Sequence, residues 1–199
     1  MMLEMTFPII GASHVPVDHG HALYGALKRH TPEIQNLPII GIHPLRGRLA
    51  AGDKILLNSR YSRLRLRLDS EHIPLLMPLA GKSISIHGST MTLGAPELQM
   101  LLPGPTLWAR TLTLHFKSTA WDEARIQLRQ HLHAEYPVVE WDVRRARTIR
   151  IHGKQILGFE VLASSVSDVD SLRLQREGFG GRRAFGCGIF VRVGEKARA

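Results

Sequence analysis

Histidine and tyrosine residues near the N-terminus could perform acid–base chemistry. The chain contains 11 histidines, and His14, His19, His21 and His30 fall early. A neutral imidazole can act as a general base near neutral pH, and a phenol can hydrogen-bond a phosphate. His19 and Tyr24 are therefore the predicted catalytic pair, His19 as general base and Tyr24 as a hydrogen-bonding partner of a phosphate. On a basic protein a histidine is more often solvated or a structural hydrogen-bonding partner, so this alternative stays open for each one.

The same histidines do not predict a metal centre. His19 and His21 stand at i, i+2, a spacing that does not share a helical face, and no Glu or Cys at a useful spacing joins them. Cys187 is the single cysteine, which excludes an internal disulfide and a cysteine-rich zinc site. The sequence therefore predicts neither a bound metal nor another cofactor.

A glycine-rich segment near the C-terminus is a second candidate functional site, in this case for binding. Glycine tolerates positive φ and close backbone approach, so such a loop can present peptide N–H groups to a phosphate. A plain tight turn is the alternative, because neither a Walker nor a dinucleotide-binding pattern is present. The residues that we predict to bind phosphate or nucleic acid here are Gly178, Gly180, Gly181, Arg182, Arg183, Gly186 and Gly188.

Basic residues form two further clusters. The first is Arg63, Arg65 and Arg67, and the second is Arg144, Arg145, Arg147, Arg150 and Lys154. The chain has 26 Lys and Arg against 17 Asp and Glu, a net charge of +9 that favours nucleic acid or an anionic membrane surface. Solubility or edge protection would explain any one cluster, whereas three clusters without matching acidic runs favour a nucleic-acid track. Aromatic residues are 6% of the chain and form no paired motif on a strand, which favours backbone recognition of folded RNA over base stacking.

Periodic segments must position these residues. Residues 19–30 predict a helix with alanines and leucines on one face. Residues 62–68 alternate strictly, so they predict a strand with its three arginines on one face and its three leucines on the other. The catalytic candidates thus lie at the start of a helix, and the first basic cluster lies on a strand.

The remaining segments predict the same element order twice. Other predicted elements are a first strand at 6–11, extended segments at 38–44 and 54–58, a helix at 71–80, a hairpin at 83–93, an extended segment at 106–116, a helix at 121–133, a hairpin at 147–163, and a short helix followed by a last strand. The Leu102-Pro-Gly-Pro105 segment predicts a linker. Since β-α-β-β-α-β is the ferredoxin-like order, we predict an α+β protein with two tandem ferredoxin-like domains. Their expected ranges are 1–102 and 103–199, and the glycine-rich loop belongs to the second.

Five stretches of the chain resemble the CRISPR repeat-cleaving endoribonucleases. These proteins are the sixth Cas family, within the RAMP superfamily, and the resemblance is closest to the small MYXAN-type branch. The matching stretches are residues 16–24, 42–47, 62–67, 79–82 and 170–190. The last stretch is the most specific, because a glycine loop that closes a C-terminal ferredoxin-like domain is typical of the family.

The resemblance implies metal-independent cleavage of CRISPR precursor RNA at the base of the repeat hairpin. The products would be a 2′,3′-cyclic phosphate and a 5′-OH, and the enzyme would keep the crRNA 3′ handle within a Cascade-type complex. On the matching motif His19 is the candidate base and Tyr24 its helper. His21 falls where relatives usually carry an aromatic residue and is a possible second histidine. His14 and His43 remain alternatives.

Two other classes of function stay open. One is a non-catalytic subunit of the same fold that binds the crRNA handle, and the other is a DNA- or membrane-associated basic protein. No apolar run approaches the roughly 20 residues of a membrane-spanning helix, and residues 1–10 lack a basic n-region. We therefore expect a cytoplasmic protein whose partners are the repeat RNA hairpin and other Cascade subunits, without a membrane.

Overall fold

The chain folds into two compact units, which divide between Leu101 and Leu102. The computed structural model describes residues 1–11, 13–117 and 120–196, with no side-chain description at 195 and 196. The division that we predict between residues 102 and 103 falls beside the boundary of the units.

The first unit is built on a sheet whose central strand is β1. Its elements are β1 Met2–Ile10, β2 Ser13–Pro16, α1 Gly20–His30, β3 Gly41–Ile42, β4 Arg48–Ala50, β5 Lys54–Leu57, β6 Arg63–Asp69, α2 Ile73–Leu76, β7 Ser83–Ile86, β8 Ser89–Leu93 and β9 Glu97–Met100. The strand order is β3-β6-β1-β8-β7, and β9 also pairs with β1. Strands β2, β5 and β4 form a separate small sheet. The order β3-β6-β1-β9, with α1 and α2 between strands, is the ferredoxin-like arrangement.

Alternation along two strands supplies the core of this unit. In β1 the odd-numbered residues from Leu3 to Ile9 are buried, and in β6 the buried leucines are the even-numbered residues from Leu64 to Leu68. Leu23, Ala26 and Leu27 are the buried residues of α1. Because successive side chains of a strand point to opposite faces, the residues between these positions lie on the other face of the sheet. That other face carries the first basic cluster.

The second unit repeats the ferredoxin-like order with longer strands. Its elements are β10 Leu107–Leu112, α3 Trp121–Glu135, β11 Glu140–Ile151, β12 Lys154–Ser164, α4 Asp168–Glu177, β13 Phe190–Arg192 and α5 Val193–Lys196. The strand order is β11-β12-β10-β13, with all pairs antiparallel. Leu128 and Leu132 of α3 pack with Phe159 of β12 and Phe190 of β13 in the core.

The structure extends two of the predicted elements and adds one that was not predicted. β1 begins at Met2 instead of residue 6, because residues 2–8 pair along β6. β11 begins at Glu140 instead of residue 147, and a register shift between Val143 and Ala146 breaks its alternation. β9 was not predicted, and its four residues are all exposed, so no apolar alternation marks it. Pairing with a distant strand defines the start of β1 and the whole of β9, and pairing with the next strand, β12, defines the start of β11.

Candidate active site and nucleic-acid interface

His19 is buried and held by backbone groups on both sides of its ring. Its exposed fraction is 1%. The backbone N–H of Leu45 donates to Nε2 over 2.8 Å, and Nδ1 lies 2.8 Å from the carbonyl oxygen of Pro16. Since Nε2 accepts, Nδ1 carries the proton and donates it to Pro16, so the ring is neutral. In this arrangement neither nitrogen can take a proton from a substrate, and the geometry favours a structural role for His19 over the predicted role as base.

The segment that His19 holds, residues 43–47, is fixed at several points. Beyond the bond from Leu45, the hydroxyl of Ser62 donates to the carbonyl of Arg46 over 2.7 Å. A Cβ added at Gly47 would lie 2.2 Å from a backbone oxygen, so only glycine fits this close approach. His19 therefore joins the start of α1 to a closely packed loop.

His21 and Tyr24 share an outer face of α1. They stand at i, i+3, the spacing at which helical side chains are neighbours, and Lys28 follows at i+4 from Tyr24. His21 and Lys28 are exposed, and Tyr24 is half-buried. An imidazole, a phenol and an ammonium group on one face could move protons and offset phosphate charge. Lys28 is not among the residues predicted from the sequence, although the helical spacing places it on this face. The alternative base His14 is exposed on β2.

The three arginines of β6 lie on one face, as predicted, but that face carries a buried carboxylate. Arg65 Nε donates to Glu4 Oε2 over 2.7 Å, and Arg67 donates to Glu4 Oε1 from Nε over 3.0 Å and again from Nη2. Glu4 is 3% exposed and Arg67 is 2% exposed. The remaining arginine, Arg63, donates to backbone carbonyls of the preceding turn, including that of Ser59 over 3.0 Å. These contacts favour structural roles over the predicted RNA contacts, most strongly for Arg67.

His43 completes this buried cluster. Its Nε2 lies 2.9 Å from Glu4 Oε1. Burial lowers the pKa of His43 to about 4 against the attraction of Glu4, so the ring is neutral at pH 7. Burial alone would raise the pKa of Glu4, but its partners His43, Arg67 and Arg65 outweigh burial and hold that pKa well below the ordinary value. Glu4 is therefore ionised and compensated by arginine.

The glycine-rich loop, residues 178–188, is packed closely between α4 and β13. A Cβ added at Gly178 would lie 2.1 Å from the carbonyl oxygen of Gly188, and one at Gly180 would lie 2.3 Å from that of Thr113. Both glycines also have positive φ. The Gly188 N–H donates to Thr111 over 2.8 Å, and those of Phe179, Gly181, Phe185, Gly186 and Cys187 also donate to carbonyls. Most of the loop amides thus bond within the protein, which corrects the expectation of a row of amides aimed at phosphate.

The arginines of this loop remain suited to an anion. Arg182 and Arg183 are both half-buried. Arg182 has φ 65° and its Nη1 lies 3.5 Å from Thr113 Oγ1. Burial lowers the pKa of Arg183 while Glu177 raises it.

The β11–β12 hairpin carries the other predicted basic cluster. Arg145, Arg150 and Lys154 are exposed. Arg144 is also exposed and donates to Asp142 Oδ2 over 2.6 Å. Arg147 lies on the sheet beside a carboxylate, 3.7 Å from Glu160 Oε2. The cations nearest the hairpin turn are therefore those best placed for a ligand.

The hairpin turn contacts the glycine-rich loop. The rings of His152 and Phe185 have centroids 6.3 Å apart and planes at 79°. Two basic clusters that are separate in sequence thus adjoin through an aromatic contact. This pair could not be predicted from the sequence, because only tertiary folding brings the two residues together.

No group of three or more His, Cys, Asp and Glu side chains among the described residues could hold a metal ion. No helix in the described ranges is long and apolar enough to span a membrane.

The family model described as Cas6 Crispr matches residues 3–195. The chain belongs to the Cas6 family. It is 37% identical over 200 residues to the CRISPR-associated endonuclease Cas6 of Myxococcus xanthus strain DK1622, covering 100% of this chain and 84% of that protein. The predicted family, the sixth Cas family, is confirmed.

Solved structures agree with the Cas6 fold. A CRISPR associated protein Cas6 superimposes with a TM-score of 0.65 at 12% identity, covering 97% of this chain and 100% of that one. A structure described as an RAMP protein binding different RNA substrates gives a TM-score of 0.64 at 12% identity over 97% and 99% of the chains. The predicted α+β fold with tandem ferredoxin-like units is therefore confirmed. The predicted catalytic and RNA-binding residues stay predictions.

Proposed function

We propose that this protein is a metal-independent endoribonuclease that cleaves CRISPR precursor RNA at the base of the repeat hairpin. The observation that carries the proposal is the 37% identity, over the whole chain, to the CRISPR-associated endonuclease of Myxococcus xanthus. After cleavage the protein keeps the 3′ handle of the crRNA and joins a Cascade-type complex in the cytoplasm. Net charge +9 supports a polyanionic partner.

His21 and Tyr24 are the side chains that we assign to the chemistry. In the proposed reaction the 2′-oxygen forms a bond to the scissile phosphorus and the bond from phosphorus to the 5′-oxygen breaks. One group accepts the 2′-OH proton and another donates a proton to the leaving 5′-oxygen. Lys28 on the same face would offset the charge that develops on the phosphate oxygens. His19, held by Pro16 and Leu45, is assigned to positioning the start of α1.

The hairpin and the glycine-rich loop are the surfaces that we assign to RNA binding. Arg145, Arg150 and Lys154 are exposed, and Arg182 and Arg183 lie within the loop, just before the Phe185 that contacts the hairpin. An A-form stem is recognised mainly through phosphates and 2′-hydroxyls, which suits cations better than groove-reading side chains. Binding should therefore weaken steeply as salt increases.

Cleavage of a repeat RNA in EDTA by wild-type and two histidine variants tests this assignment. We expect wild-type protein to leave a 2′,3′-cyclic phosphate, and His21→Ala to cleave about 100-fold or more slowly, because general base catalysis contributes 10²–10⁴. His30→Ala is the matched control: His30 is also exposed on α1, nine residues and half a helical rotation away. It should cleave at the wild-type rate.

Other outcomes redirect the proposal. A wild-type rate in His21→Ala, with loss of cleavage in a folded His19→Gln variant, would return the base role to His19. Tight binding of the repeat without cleavage by the wild type would favour the alternative function, a non-catalytic subunit that binds the crRNA handle. One observation supports a non-catalytic subunit: His19, the histidine of the matching motif, is buried and both of its ring nitrogens bond to the backbone.

A further inference from the structure

The turn of the β11–β12 hairpin holds a histidine in the left-handed backbone conformation, which few residues other than glycine adopt. His152 has φ 50° and Gly153 has φ 76°, so both turn residues are left-handed. Asn or Gly is the usual residue at this position of a hairpin turn. A histidine here is therefore a reason to look for a role of its side chain. The β7–β8 hairpin has the same His-Gly turn, with His87 at φ 49° and Gly88 at φ 80°.

The two turns differ in what the histidine ring contacts. His152 is exposed and its ring meets Phe185 edge-on at 79°. Phe185 ends a short turn that is bounded by two left-handed residues, Arg182 and Gly186. Across the described residues the structure records no ring contact for His87. The local backbone therefore does not explain the aromatic pair, which exists only where the hairpin meets the glycine-rich loop.

The surroundings of the pair select an anionic ligand. No acidic residue occurs between Val143 and Phe159 or between Gly178 and Val193. Arg150 and Lys154 flank His152 on the hairpin, and Arg182 and Arg183 precede Phe185 in the loop. A ligand that brings both negative charge and a flat apolar face matches this combination, and a nucleotide has both.

We infer that His152 and Phe185 form a binding corner for one unpaired base of the RNA. This inference rests on the proposed function, because it assumes that the repeat RNA reaches this surface. The two rings stand nearly perpendicular, so a base that stacks on one ring meets the edge of the other. The flanking cations then hold the phosphates on either side of that base. Base recognition would thereby be added to the backbone contacts, although the sequence alone favours backbone recognition only.

Binding of RNAs that lack single bases tests the corner. The probe is the repeat RNA with an abasic site at each unpaired position in turn, measured by fluorescence anisotropy with full-length protein. We expect His152→Asn and Phe185→Leu each to weaken binding of the intact repeat about tenfold, a typical effect of losing one stacked base. With the RNA that lacks the stacked base, wild type and variants should bind equally. His152→Tyr should recover most of the affinity, because it restores a stacking ring.

His87→Asn is the matched control, since it relieves the same backbone conformation without touching the corner. It should bind the intact repeat like the wild type, and thermal melting should show both Asn variants as stable as the wild type or more so. If His152→Asn binds the intact repeat with wild-type affinity, or if it weakens binding of every abasic RNA equally, the inference of a base-binding corner is wrong. The proposed function is unaffected by either result. A wild-type protein that binds no repeat RNA would overturn the proposed function and the corner with it.

Discussion

The two ferredoxin-like units share a strand order but use arginine in opposite ways. In the first unit, Arg65 and Arg67 converge on the buried Glu4. In the second unit, the outer part of the hairpin and the glycine-rich loop lack acidic residues, and Arg150 and Lys154 are exposed. A run of arginines in sequence therefore does not identify a ligand surface. What decides is whether a neighbouring strand supplies a carboxylate on the same face.

The second unit also contains one carboxylate that lies beside an arginine on the sheet, as Glu4 does in the first unit. Glu160 accepts from Trp108 Nε1 over 2.7 Å and lies 3.7 Å from Arg147 Nη2. Burial lowers the pKa of the half-buried Arg110, and the nearby charge of Arg147 lowers it further. Within one hairpin, Arg147 thus belongs to the sheet, while cations closer to the turn are exposed. In both units, therefore, arginines on a sheet face have carboxylate partners, whereas cations near the hairpin turn and in the glycine-rich loop are the ones available to a ligand.

The largest expected effect is the loss of the carboxylate in the first unit. Glu4→Gln leaves Arg65 and Arg67 without their buried counter-charge, which costs about 3–5 kcal/mol when one partner of a buried pair is removed. Urea denaturation measures this loss. Glu33→Gln is the control, because Glu33 is exposed and should change stability by less than about 0.5 kcal/mol. Equal small effects of both changes would mean that Glu4 is not what compensates these arginines.

Acidification should weaken the same cluster. Burial lowers the pKa of His43 in the folded state to about 4, whereas the unfolded value is near 6.5. Between these values the unfolded chain binds more protons, so stability falls as pH decreases from about 6.5 to about 4, by roughly 3 kcal/mol. The lowered pKa of Glu4 removes further stability as the pH falls through its ordinary range and below. Denaturation midpoints measured across this range test the slope.

A His43→Gln variant is the control for that slope. It removes the group that titrates between pH 6.5 and 4 but keeps a polar side chain beside Glu4. Its stability should vary less with pH in this window than that of the wild type. An unchanged slope would assign the pH dependence to other groups whose pKa changes on folding, such as Glu4.

Much of the fold was predictable because the apolar alternation is regular. The strict alternation of residues 62–68 indicated β6 and the shared face of its arginines, and the helical period indicated α1. The chemistry of that face was not predictable, because Glu4 lies on β1 and meets Arg67 only through strand pairing. His19 shows the same limit. Its motif suggested a base, whereas the Leu45 amide that occupies Nε2 comes from a loop 26 residues away.

The smallest expected effect tests whether RNA binds the second unit specifically. Replacing Arg150 and Lys154 by Gln removes two exposed charges near the hairpin turn, and replacing Arg60 and Lys82 by Gln removes two exposed charges from the first unit. Both double variants have a net charge of 9 − 2 = +7, so they differ only in position. The hairpin variant should lower the slope of log affinity against log salt by about one for each phosphate that the protein no longer neutralises. The first-unit variant should leave that slope nearly unchanged. Equal slopes would mean that RNA responds to net charge alone, and the exposed cations of the second unit would then have no special part in binding.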